Sequence, residues 1–133
     1  MSAVFSPPRP VTGLPSAYRA AARLIAAVGH HQGDYVTDPF DRVLTTDHAT
    51  RPMCIVAALR CVTSGSPHRP CPLSEAAIRF LAHRLEVAGE GPRDDDPLAL
   101  EAHVSAWGDV VGRRMQTVVA VLEAAADAAE VIA

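Results

Sequence analysis

The hydrophobic positions of this chain fall at helical spacing in all but two regions. The strongest signal is TRPMCIVAALRCVT at residues 50–63, where Met53 to Leu59 run without a polar break and Arg60 is the first charge after Arg51. Thr50 stands where an N-cap belongs, and Pro52 suits an early helical position that has no N–H partner to lose. A helix apolar on all sides must be surrounded, so this segment predicts a central helix with the others packed round it. Burying Met53, Ile55, Val56 and Leu59 contributes roughly 1.5–3 kcal/mol each before chain entropy is subtracted.

Four more helices follow from the same periodicity. Tyr18, Ala21, Ala22, Ile25 and Val28 share one face of a segment from about 17 to 28, with Ser16 as cap and Gly29 as stop. Ala77, Phe80, Leu81, Leu85 and Ala88 mark a helix from about 73 or 74 to 87, carrying Glu75 and Arg79 as an outer i,i+4 pair. Asp94, Asp95 and Asp96 ahead of Pro97 form a strong start signal for a helix to about Trp107, burying Leu100, Val104 and Trp107. A last helix, about 113–131, buries Met115, Val118, Val119, Leu122, Ala126 and Ala129. Its Arg113 and Arg114 stand at the positive end of the dipole and Asp127 and Glu130 at the negative end, which predicts fraying at the terminus unless a basic partner meets the acids.

Two regions lack a period. Pro7, Pro8, Pro10 and Pro15 exclude a helix over residues 1–15 and predict an extended arm, with Pro7 and Pro10 in a P-x-x-P spacing. From His30 to Ala49 turns alternate with short extended pieces at Tyr35-Val36 and Val43-Leu44. The expectation is an all-α chain: an arm over 1–15 and a single domain over 16–133, built as a compact bundle of about five helices around residues 50–63.

Composition narrows the function classes. A chain of 133 residues with 49% hydrophobic and 20% charged residues is ordinary for one globular domain able to close its own core. Its formal net charge of −3, with arginines scattered among acids, gives no basic stripe for nucleic acid. The N-terminus does not have the layout of a secretory signal, and no run reaches transmembrane length, so a soluble cytoplasmic protein is expected. All twelve basic side chains are arginine and asparagine is absent too, a bias that reads as a GC-rich genome.

Three blocks resemble an actinobacterial family of small helical proteins catalogued as a domain of unknown function. Gly29-His30-His31-Gln32-Gly33 stands where that family has Gly-Trp-x-x-Gly, and Cys54-Ile55-Val56-Ala57-Ala58-Leu59 is similar to its Cys-x-x-Gly-Ala-Leu. Trp107-Gly108-Asp109, followed by Arg114, Val119, Leu122 and an alanine-rich end, is similar to its closing block. His30, Ala57, Gly108 and Met115 depart from the pattern. The resemblance implies the helical architecture and no reaction.

Several constellations remain as candidate chemistry. Cys54 at the start of the central helix, with His30 or His31 as base and Asp109 or Asp34 as orienter, has the makings of a cysteine nucleophile. Cys61, His68 and Cys71 cluster as C-x6-H-x2-C, with His30, His31 or His48 as candidate remote ligands, although a structural zinc needs four ligands and only the H-x2-C pair has the close spacing usual there. Gln32, Asp34, Trp107, Asp109, Arg113 and Arg114 gather in the two glycine-bracketed turns and are candidate binding residues. None of these matches a known enzyme or metal signature. The reading with fewest requirements is a non-catalytic protein-binding or regulatory module without cofactor, whose partner is another subunit or a second copy; the alternatives are a small Cys54-dependent enzyme and a zinc domain.

Overall fold

A computed structural model describes residues 11–36 and 51–132. Its order is α1 (Leu14–Val28), α2 (Ile55–Ser64), α3 (Pro72–Ala82), α4 (Pro97–Gly108) and α5 (Met115–Ile132). The expected all-helical bundle is what the chain forms. Helix α2 packs against α1, α3 and α4, and α1 pairs most extensively with α5. Every residue from Met53 to Arg60 is buried, so the apolar run is indeed the centre.

The central helix starts later than its sequence suggests. Cys54, not Thr50, is the N-cap, and its Sγ accepts the Ala57 N–H at 3.4 Å. Thr50 lies outside the described residues. Met53 is extended instead of helical because its backbone is engaged elsewhere. Its N–H donates to Gly29 O at 3.0 Å, its carbonyl accepts from His31 N at 3.0 Å, and Cys54 N donates to Tyr35 O at 2.9 Å. Residues 29–36 thereby form a strap pinned across the start of α2, with bridges from Met53 to His30 and to Val36. The expected extended piece at Tyr35-Val36 is the end of this strap, while Val43-Leu44 lies outside the described residues.

Other boundaries shift for local reasons. Helix α1 begins at Leu14 with Gly13 as N-cap, and Ser16 sits three residues in, where its Oγ accepts from the N–H groups of Thr12 and Gly13. Leu14 and Pro15 therefore belong to the helix and not to an arm; Pro7 and Pro10 lie outside the described residues. Gly29 ends the helix at φ 102°, donating to Ile25 O. Helix α3 stops at Ala82 and the chain turns, so Leu85 is still buried but Ala88, at φ 53°, is exposed. Asp96 caps α4 as its position predicts, accepting from Ala99 N at 2.9 Å. Helix α5 starts at Met115, after both arginines.

Two surface pairings differ from expectation. Arg79 reaches Asp95, which His83 also contacts at 2.9 Å, and not Glu75. Asp127 and Glu130 meet a basic partner inside the chain: Arg19 of α1 stands 3.2 Å and 2.7 Å from them and 3.6 Å from Glu123. That contact ties the end of α5 to the start of α1, where fraying had been expected.

Candidate functional site

The three sequence blocks converge. The strap from the first block lies between the start of α2 from the second and the end of α4 from the third. Gln32 Nε2 donates to the carbonyls of Gly108 at 3.0 Å and Val110 at 2.9 Å, and Gly33 N donates to Asp109 Oδ1 at 2.9 Å. Helix ends leave carbonyls unsatisfied, and Gln32 supplies a donor to that of Gly108, the last residue of α4, and joins Arg113 N on that of Val110 just beyond it. Arg113 serves the same end: its Nε donates to Trp107 O at 3.0 Å and its guanidinium lies 3.8 Å from the centre of the Trp107 ring.

Between strap and helices lies a cleft of about 180 Å3 lined by Asp34, Tyr35, Cys54, Glu101, Ser105 and Asp109. Its floor is an ion pair between two helices. Arg60 of α2 stands 2.9 Å from Glu101 of α4, with side-chain exposures of only 8% and 19%. The Tyr35 hydroxyl donates to the other Glu101 oxygen at 2.5 Å, and the Arg60 guanidinium lies 5.3 Å from the Tyr35 ring centre. The Glu101 carboxylate, by holding that hydroxyl, raises the Tyr35 pKa above its ordinary value. Strap, α2 and α4 are locked together through one carboxylate.

Cys54 is placed at this cleft but not prepared as a nucleophile. Burial pushes its thiol up to about 11, outweighing the backbone N–H groups of Ala57 and Val56 that favour thiolate. No hydrogen bond joins it to His30 or His31 among the described residues. His30 turns towards α4, where its Nε2 is buried without a hydrogen-bond partner and a Cβ on Gly108 would come within 3.3 Å. Burial lowers the His30 pKa, against the opposing pull of Asp109.

The remaining candidates separate. Arg114 is exposed and offers its carbonyl to the first N–H groups of α5. Cys61 lies within α2, Cys71 caps α3, and His68 meets the Tyr35 ring edge-on at 5.9 Å. Among the described residues no three His, Cys, Asp or Glu side chains are grouped to hold a metal ion, so these three do not assemble the expected ligand set. His48, a candidate remote ligand, lies outside the described residues. Sequence reasoning missed Tyr35, Arg60, Glu101 and Ser105. A signal did exist for two of them: Arg60 is the one charge on α2 and Glu101 the one charge within α4, each isolated on an apolar helix.

The fold and cleft define a small all-helical domain whose polar site is held by a strap. The chain belongs to a family of unknown function, DUF6197, whose model matches residues 10–128. No curated protein and no solved structure matches it. No helix among the described residues is long and apolar enough to cross a membrane.

Proposed function

We propose that the chain is a non-catalytic protein-binding or regulatory module that acts through contacts with a second copy or another subunit. The state of Cys54 carries this reading. The one thiol at the cleft is held protonated, with Sγ already accepting a backbone N–H. The groups around it are engaged with each other: Arg60 and Tyr35 with Glu101, Gln32 with the carbonyls of Gly108 and Val110, Asp109 with Gly33. Such a set fixes geometry and offers no base beside a nucleophile. The same reading puts the protein in the cytoplasm of an actinobacterium, supported by three cysteines outside any disulfide and a sequence free of lysine and asparagine.

Alkylation tests it. Burial works against ionisation of Cys71 too, but hydrogen bonds from Thr63 and Ser74 hold its thiol below the ordinary value. With iodoacetamide on the native protein at neutral pH, Cys71 reacts first and Cys54 only after denaturation. Cys54 reacting ahead of Cys71 would overturn the reading in favour of a cysteine enzyme.

A further inference from the structure

Helix α4 is apolar on both sides. Leu100, Val104 and Trp107 are buried, yet Leu98, Ala102 and Ala106, at i, i+4 and i+8, form an outward row, with Leu98 at 79% exposure. Helices apolar round their circumference are normally covered on every side. Beside this row runs a groove of about 270 Å3, between Ala102, His103 and Ala106 of α4 and the turn carrying Val87, Glu90 and Arg93.

Two features of this face suit a protein surface like itself. Glu90 and Arg93 are exposed, of opposite charge, and make no side-chain ion pair among the described residues. Leu98 is a knob and Ala106 a gap, each four residues from Ala102.

We propose that two copies of the chain dock here, α4 antiparallel to α4 about a two-fold axis at Ala102. The inference rests on the protein-binding reading above and names the partner as a second copy. A two-fold axis repeats the same patch on both sides, so the patch must complement itself. This one does. Leu98 of each copy falls opposite Ala106 of the other, and Ala102 opposite Ala102 lets the helices approach closely. Each copy brings one acid and one base to the rim, so Arg93 finds Glu90 of the second copy.

Sedimentation equilibrium of the full chain tests this, with circular dichroism as a check on folding. The native protein sediments at twice its 14.1 kDa chain mass. Ala102→Arg sets two cations face to face on the axis and weakens the dimer about tenfold or more, at unchanged helicity because Ala102 is exposed. Glu90→Arg alone and Arg93→Glu alone each weaken the dimer, and mixing the two variants restores it as a heterodimer. A native monomer throughout the micromolar range, or an Ala102→Arg protein that dimerises as well as the native one, overturns the proposal. Neither result touches the protein-binding reading, which is tested separately by the order in which the thiols react.

Discussion

Replacing Glu101 by Ala removes the one carboxylate that joins strap, α2 and α4, and strands Arg60 among apolar neighbours. The guanidinium has 8% side-chain exposure, and its Nε has no hydrogen-bond partner even in the intact structure, so little solvent is at hand to take over the lost contact. Removing one member of a fully buried pair costs roughly 3–5 kcal/mol, the larger share being the charge left unpaired. Glu101 keeps 19% exposure, which moves the value to the lower end, about 3 kcal/mol. The Tyr35 hydroxyl loses its charged acceptor as well, a contact of about 1.5 kcal/mol when the donor is buried and less at this part-buried position. The net expectation is a loss of about 3–4 kcal/mol, or roughly 10–15 °C in melting temperature for a chain of this size. Urea unfolding measures it, with an unchanged slope marking a native state otherwise intact. Combining Glu101→Ala with Arg60→Met should cost less than the sum of the single changes by about 2 kcal/mol, because the second change removes the stranded charge. Costs that add, or a Glu101→Ala loss under about 1 kcal/mol, would refute the view that this pair is the lock.

Two further predictions concern other parts of the same assembly. Burial lowers the His30 pKa below its unfolded value near 6.5, so below that pH the unfolded chain takes up the proton first. Stability should therefore be complete above about pH 6.5 and decline as the pH falls below it, and urea midpoints across pH 5–8 should show a slope that His30→Phe flattens; an unchanged slope in that variant would place the titration elsewhere. The Tyr18 hydroxyl, buried against α3, donates to Ala77 O at 2.5 Å, so Tyr18→Phe should cost about 1 kcal/mol with no change of fold, and a neutral result by thermal melting would show that contact to be idle.

The helices were legible because their signals are local: the Asp96 cap, the Gly29 stop and the apolar face of α1 can all be seen within a few residues. The start of α2 was not, since Met53 leaves the helix to pair with Gly29 and His31, more than twenty residues away. The end of α3 had the same cause, as Leu85 reaches the core from a turn that also supplies the acceptor for His103. At the cleft, the fold brings together residues of all three family-like blocks, Gln32, Cys54, Trp107 and Asp109, with Arg113 of the following turn beside them. The candidate pairing of Cys54 with His30 or His31 came from residue types alone, and the fold sets no hydrogen bond between them among the described residues. Whether Cys54 is ionised depends on burial, and whether His30 points at it or at Gly108 depends on tertiary placement; no spacing encodes either. Two departures from the family pattern, His30 and Gly108, lie against each other, a coupling invisible along the chain.

Native mass spectrometry of the full-length protein, purified gently from its own kind of host, tests the central claim most directly. A binding module predicts unmodified polypeptide in an assembly, a dimer of this chain or a complex with another protein. A stoichiometric organic adduct, or an increment of about 65 Da matching bound zinc, would contradict it and return the molecule to small-molecule or metal chemistry.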